Sequence, residues 1–566
     1  MLKNKSSTFF YRVLSPMLWV AQKVLDKKLI TYFLLGLIFT FAIFLRFYNL
    51  NNYPVGFHQD EASLGYNGYS LMLTGKDDNG NKFPLYVDMF GDNRPSGYHY
   101  LTIIPIKIFG LNEFATRFPG ALFSSITVFA MFFFANVLFK NKIIGLLSAL
   151  LIAFSPWHIV LSRASDEAVV ALFFILLGFA LLIRGLQENK KNFIIWGAIF
   201  ASISYFFYHT PRVFVPLAFL VFTAYLFPFW KKEAKFIRVK MLLVFIFLSS
   251  LVFCLVFFVR GGTGRYSQVN IFNNFETNFF LRQEIQEDAI AHSPKYVSRL
   301  AHNKFTNDLS VFLDNYFDYF SGDFLFSKGG LPIWYNTPRM GLVYLIEFPF
   351  ILYGLYWLLK SSNKMHKLPI LWLVIAPVVA AITMDDIPNI NRSIIMIPAV
   401  ELIAAVGFYR LVEFFNKKKI LFTAISGILF FGNIFYFGNQ YFINAKVHKP
   451  WYRNNGFSEM MRAVNENYNK YDAIVISKFQ GGIYPLVLFY SKYNPKTYQE
   501  EGSPKNKDYL GFGKFIFVPQ DCPSIQRSEN IPKVHHTIYV DKGDCLSKGD
   551  TIYREDGTKA FRIVYD

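Results

Sequence analysis

Asp60 and Glu61 are adjacent carboxylates in the stretch PVGFHQDEASLGYNGYSLMLTGKD, just after the first long apolar run. A carboxylate in that place can take a proton from an acceptor hydroxyl or help hold a metal ion. The plainer reading of such a pair is a helix N-terminal cap or a partner for the helix dipole. His58 beside them is a metal ligand or a surface histidine. Further on, FGDNRPSGYHYL sets Arg94 close to Asp92. Guanidinium is a planar fork that grips phosphate, although an Arg–Asp surface pair would use the same two residues. His99 follows and can reach the same group. In SPWHIVLSRASDEAVVALFF, Arg163, Asp166 and Glu167 fall at the end of a pair of apolar runs; Arg212 (HTPR) and Arg392 (NINRS) fall at the ends of others. Each alone reads as an interface anchor. Several cationic helix ends around a carboxylate cluster suit an anionic lipid head group. No P-loop, GxSxG, HExxH or paired CxxC stands out, which argues against ATP-driven transport, serine hydrolysis and zinc proteolysis.

The elements that must position these residues are membrane helices. Hydrophobic residues make up 53% of the 566 and charged residues 17%, with 66 Phe and 34 Tyr. That apolar surface suits a bilayer better than a soluble core. The chain reads as mainly α, a polytopic helix bundle with about eleven spans, at 29–46, 114–139, 143–160, 168–184, 193–208, 213–230, 240–259, 341–359, 368–384, 393–411 and 420–438. The net charge of +19 comes from Lys and Arg clustered between apolar runs, which marks topology rather than a nucleic-acid surface. The basic N-terminal arm, 1–28, and the even-numbered connections are then cytoplasmic. The loops holding Asp60, Asp166, residues 260–340 and Asp385 are outside, and so is the C-terminus. No cleavable signal peptide is evident.

Residues 98–110 are apolar but too short to span, and counting them would invert every later loop; they read as an interfacial helix. The catalytic candidate is therefore the first outer loop, 47–113, inside a transmembrane domain of 29–444, with a second long outer loop at 260–340 carrying helices around Lys295 to Phe320. Residues 445–566 change composition. Short β-rich runs at 473–477, 514–518, 536–540 and 561–565 predict a small extracytoplasmic α/β domain. Cys254 lies in an apolar run; Cys522 and Cys545 are either one disulfide or two free thiols.

These motifs, in this order, resemble the integral-membrane glycosyltransferases of the GT-C fold, closest to the group of protein O-mannosyltransferases and lipid A aminoarabinose transferases. The resemblance covers about residues 29–210 well and the later spans by pattern. GFHQDEA resembles the first-loop Asp-Glu motif, at Asp60 and Glu61. DNRPSGYHYL resembles a Glu-Lys-Pro-Pro segment, with Arg94 at the lysine and Asn93 at the glutamate. NEFATRFPGAL matches at Arg117 and Pro119, and SPWHIVLSRASDEA at Asp166. The resemblance implies a polyprenyl-phosphate-linked sugar as donor, Asp60 with Glu61 as catalytic carboxylates, and inversion at the sugar. Arg94, Arg163 and Arg392 would bind the donor phosphate. Asp92 and Asp166 would be polar or metal-holding neighbours for a divalent cation such as Mg or Mn, a role weakened because Asn93 stands where the family has a metal-holding carboxylate. The acceptor would be a protein, lipid or cell-envelope glycan. The loop at 260–340 lacks a β-trefoil-sized insertion, which points to a prokaryotic enzyme in the plasma membrane. Two other readings compete. A transporter or flippase of a lipid-linked or anionic solute would need ionisable residues within the spans, of which Glu347 is the main example. A non-catalytic assembly or receptor protein would leave the Asp-Glu loop unexplained.

Overall fold

The computed structural model describes residues 28–229, 232–258, 269–501, 510–526 and 536–566. The basic arm at 1–27 lies outside them. The chain runs α1 (Lys28–Phe47), α2 (Gln59–Thr74), a hairpin of β1 (Tyr86–Met89) and β2 (Asp92–Pro95), α3 (Gly97–Phe109), α4 (Glu113–Phe139), α5 (Lys142–Phe154), α6 (Pro156–Arg163), α7 (Glu167–Glu188), α8 (Lys191–Ile203), α9 (Pro211–Leu226) and α10 (Lys232–Phe257). Helices α11 (Phe275–Ile290), α12 (Lys295–Ala301) and α13 (Lys304–Asp318) fill the second long loop. Then come α14 (Glu347–Lys360), α15 (Leu368–Ile375), α16 (Val378–Ala381), α17 (Ile397–Phe414) and α18 (Lys419–Asn439).

Among the described residues, eight helices are long and apolar enough to cross a membrane, and the pair α5–α6, bent by 50°, makes a ninth. The sequence reading expected about eleven. The two others fall on α8 and α14, which have 13 and 14 residues and are too short to cross alone. Both are pressed tightly onto neighbours. A Cβ at Gly407 of α17 would lie 1.8 Å from the Phe350 carbonyl oxygen of α14, and one at Gly178 of α7 would lie 2.7 Å from the Ala201 nitrogen of α8. Small residues at such crossings let backbones touch, the usual way helices associate without a hydrophobic drive between them. Cys254 is exposed on α10.

The bend between α5 and α6 has an identifiable cause. Pro156 has no N–H to give, so the carbonyls of the preceding turn lose partners. Arg46, at the end of α1 and fully buried, supplies them: its Nη1 donates to the Ala153 carbonyl at 2.9 Å and its Nη2 to that of Ile152 at 3.2 Å. Its Nε donates to Ser124 Oγ at 2.6 Å.

Residues 445–566 form the expected α/β unit, with α19 (Phe457–Asn467), β3 (Ala473–Ser477), α20 (Tyr484–Ser491), α21 (Pro495–Glu500), β4 (Gly511–Phe512), β5 (Phe515–Val518), β6 (Thr537–Lys542), β7 (Asp550–Tyr553) and β8 (Lys559–Tyr565). The sheet order is β4-β5-β3-β6-β8-β7. Strand β3 is buried at every position and lies parallel to both β5 and β6, as a central strand without polar alternation should. The short strands β4 and β7 carry too little apolar alternation to have been foreseen. Cys522 and Cys545 form a disulfide, which resolves the two alternatives left by the sequence.

This unit is not a separate lobe. Its Phe457, Ile483, Leu486 and Phe489 share one hydrophobic core with Phe57, Ala62, Tyr66, Ile106 and Leu111 of the loop at 47–113 and with Ala115 of α4. Helix α3 turns Tyr98, His99, Thr102 and Ile106 inward and leaves Ile104, Ile108 and Phe109 exposed, the two-faced pattern of an interfacial helix.

Replacing Arg46 by Met would strand the Ile152 and Ala153 carbonyls in the bundle, at a cost on the order of 1–3 kcal/mol for each unsatisfied group. The purified variant should unfold at a clearly lower temperature in detergent. An unchanged unfolding midpoint would show that the bend does not need this side chain.

Candidate functional site

Helix α2 carries the acidic pair into place through its first turn. His58 is the N-cap; its ring accepts the Asp60 N–H at 3.3 Å, and the Glu61 carboxylate accepts the His58 N–H at 3.3 Å. This capping box satisfies two N–H groups at the helix start. The helix sits close to its neighbours because of two glycines. A Cβ at Gly68 would lie 2.0 Å from Thr102 Oγ1, and one at Gly65 would lie 2.4 Å from Thr116 Oγ1.

The two adjacent carboxylates face different partners. Asp60 Oδ2 accepts from Arg94 Nη2 at 3.1 Å and lies 3.6 Å from His58 Nδ1. Arg94 comes from the hairpin and also donates through Nε to Asp92 at 3.2 Å. The hairpin is pinned by His209, whose Nε2 meets the Asn93 carbonyl at 3.0 Å. Burial alone would raise the Asp60 carboxyl, but the Arg94 charge and His58 outweigh it and hold it well below the usual carboxylate range. Burial likewise opposes the charge on Arg94, and the surrounding Asp60, Asp92 and Glu167 more than restore it.

Asp60, Glu61, Asp92, Arg94 and Arg392 all line one cavity of about 500 Å³. Its walls come from α2, the hairpin, the start of α7 at Glu167, the turn into α9 and its first residues at Tyr208–Val213, the second long loop at Trp334–Tyr335, and the segment Asp385–Arg392. Arg392 is held by its own loop: Nη1 donates to Thr383 Oγ1 at 2.8 Å and Nη2 to Asp385 Oδ2 at 2.9 Å. Trp334 stacks on His58 with ring centroids 4.4 Å apart. Asp166 is not a lining residue. It caps α7, accepting the Ala168 N–H at 2.9 Å, and its other oxygen accepts from Asn391 Nδ2.

Glu61 is buried and fully engaged. Oε2 accepts from Arg117 Nε at 2.9 Å and from Ser165 Oγ at 3.2 Å, and Oε1 accepts from Arg453 Nη2. Arg117 also donates to the carbonyls of Leu50, Asn51 and Gly56. Burial opposes the Glu61 charge, yet the two guanidiniums keep its carboxyl low. Glu61 is thus a structural anchor by geometry, whereas the sequence paired it with Asp60 in catalysis. Arg163 departs from its expected place at the donor phosphate. It lies outside the cavity with its Nη groups donating to the carbonyls of Leu45, Tyr48 and Tyr53, and Phe442 covers it at 5.2 Å. A charge at the end of α6 is drawn to the carbonyl-rich end of α1 rather than to solvent. His99 is buried beside this region, and burial and the Arg94 charge push its imidazole down to about 3, so it is neutral.

Asp92 Oδ2 is taken by Arg94 and both Asp166 oxygens by Ala168 and Asn391, and among the described residues no group of three or more His, Cys, Asp or Glu stands together as ligands.

Sequence reasoning did not single out Trp334, Tyr335, Asn391 or Arg453. Arg453 follows the last span at the start of the C-terminal unit, 392 residues from Glu61, and nothing local marks it. Glu347 and Glu401 are both buried, and meet across the contact of α14 and α17; only the first had been noted.

Residues 93–257 match the family model for dolichyl-phosphate-mannose-protein mannosyltransferases, under a third of the chain. An uncharacterized protein of Aquifex aeolicus (strain VF5) is 28% identical over 161 residues, a match taking in 28% of this chain and 31% of that protein. Among solved structures, ArnT from Cupriavidus metallidurans bound to undecaprenyl phosphate superposes with a TM-score of 0.56 at 10% identity, covering 93% of this chain and 97% of that one. The Archaeoglobus fulgidus oligosaccharyltransferase in complex with Zn and sulfate gives 0.51 at 12% identity, covering 81% of this chain and 61% of that one. The chain therefore has the GT-C fold of integral-membrane glycosyltransferases, and its residues 93–257 resemble the protein mannosyltransferases.

Proposed function

We propose that the protein transfers a sugar from a polyprenyl-phosphate carrier to an acceptor hydroxyl of a protein, lipid or envelope glycan, with inversion at the anomeric carbon. The observation that carries this reading is the contact of Asp60 with Arg94, 3.1 Å apart in one cavity that Arg392 also lines. A carboxylate and phosphate-binding cations in one pocket are what such a displacement needs. The likeness to ArnT, whose structure holds undecaprenyl phosphate, supports a lipid-phosphate donor. The basic clusters between spans favour an outward-facing site, with the N-terminus cytoplasmic and the C-terminus outside, and a 260–340 loop without a β-trefoil-sized insertion favours a prokaryotic plasma membrane.

In this reading the acceptor hydroxyl gives its proton to Asp60 as its oxygen bonds to the anomeric carbon from the face opposite the phosphate. The bond between that carbon and the phosphate oxygen breaks, and its electron pair leaves on the lipid phosphate. Arg94 and Arg392 stabilise that charge; such electrostatic stabilisation is often the largest contribution to rate. Asp60 is a poor base while Arg94 holds it. The donor phosphate competes for the same N–H groups, and as Arg94 turns to it the Asp60 carboxyl becomes more basic. The base is armed only when donor is bound.

Asp60→Asn should lower transfer from a radiolabelled polyprenyl-phosphate sugar in membranes by about 10²–10⁴-fold, the usual contribution of a general base, without loss of folded protein. Near-wild-type turnover would remove Asp60 from the role. Glu61→Gln should act on stability instead, since breaking a buried ion pair costs about 3–5 kcal/mol; a stable but inactive Glu61→Gln protein would return Glu61 to the chemistry. Removing the cation beside Asp60 raises its carboxyl in the free enzyme, so the acid limb of kcat/KM should lie at a higher pH for Arg94→Gln than for the wild type. Superimposable acid limbs in the two pH–rate profiles would contradict the coupling.

A further inference from the structure

A second cavity, of about 460 Å³, lies behind the first. Ala164 and Trp334 line both, and Arg453, which holds Glu61, lines only the second. Six of its lining residues are Lys328, Arg339, Lys446, His448, Lys449 and Arg453, and no aspartate or glutamate lines it. Three of the six are already matched by acids: Lys328 by Asp323 at 2.7 Å, Lys446 by Glu555 at 3.0 Å, and Arg453 by Glu61. Arg339 and Lys449 have no acidic partner within ion-pair distance among the described residues. Both have left-handed backbones, at φ of 53° and 52°, where residues other than glycine, asparagine and aspartate are uncommon. The charges are close enough to act on one group: partial burial, then Lys449 and Arg339, push the His448 imidazole below its ordinary range. The C-terminal end of the last span supplies Tyr441, Ala445 and Lys446 to the wall, and that helix exposes Phe435, Tyr436, Ile443 and Val447. The cavity thus places two cations without an acidic partner beside the end of an apolar span.

We infer that this second cavity is a binding site for a phosphate-class anion carried on an amphiphile, held by Arg339 and Lys449. It is separated from the Asp60–Arg94 pair by the wall of Trp334 and the Glu61–Arg453 contact, so it is not the donor phosphate's place. Its assignment to the acceptor's anionic end rests on the transfer reading above; the binding of the anion does not.

The test is equilibrium binding of dodecyl phosphate, and separately of inorganic phosphate, to the full-length protein in a non-ionic detergent. The comparison is of wild type, R339A/K449A and Asp60→Asn. Both substituted cations are exposed, and a matched elution profile and unfolding midpoint check the fold of the double variant. Loss of the two charges should weaken dodecyl phosphate binding at one site about tenfold or more. Asp60→Asn should bind there as the wild type does, even though it fails in transfer, so a failure of the catalytic reading and a failure of this one are distinguishable. Weak inorganic phosphate binding beside tight dodecyl phosphate binding supports the amphiphile. Equal affinity for the two overturns the apolar part of the proposal, and unaltered binding in R339A/K449A overturns the site.

Discussion

A single buried carboxylate holds the first long loop, the helix bundle and the C-terminal unit together. Glu61 receives Arg117 from α4, Arg453 from the segment after the last span, Ser165 from the turn before α7, and the N–H of His58 from its own helix. Removing a charge from water is expensive, and it is tolerated only where hydrogen bonds and opposite charges fill every position around it. The result is geometric. Once Glu61 is satisfied, the first turn of α2 has one rotation, and the next side chain back, Asp60, must point at the hairpin that brings Arg94. The adjacent acids thus divide the work, one fixed among guanidiniums in the interior and one left at the cavity beside Arg94.

The same constraint governs the other buried arginines. Arg46 feeds the broken turn at Pro156, and Arg163 closes the carbonyl end of α1. In an apolar bundle an unpaired carbonyl has no water to turn to. An arginine near a helix end is therefore drawn to backbone oxygen, and Arg392 takes both the carbonyl and the carboxylate of Asp385 in its own loop.

That distinction explains what was legible in the sequence. The apolar runs, their basic connections and the β-rich C-terminal segments follow from length and composition, so the bundle, the interfacial helix and the sheet could be read directly. The Asp60–Arg94 pair could be suspected because both motifs fall in one loop. The division between Asp60 and Glu61 could not, since it depends on Arg453 at the far end of the chain. Nor could the fate of Arg163, because two arginines at helix ends look alike until the acceptors near them are known. The shortness of α8 and α14 was hidden for a similar reason: apolar residues continue past their ends, and the glycine contacts that let them nest against α7 and α17 are tertiary.

The shared core of the first loop and the C-terminal unit bears on how the protein is made. Phe489 packs on the face of α2 that carries Gly65, and Arg453 closes on Glu61, yet these partners leave the ribosome hundreds of residues after α2 does. Until then α2 lacks part of its apolar cover and one of the two counter-charges of Glu61. Assembly of the bundle and completion of the first turn of α2 are therefore separate events in time, and a nascent chain halted before the last segment would hold Glu61 without Arg453.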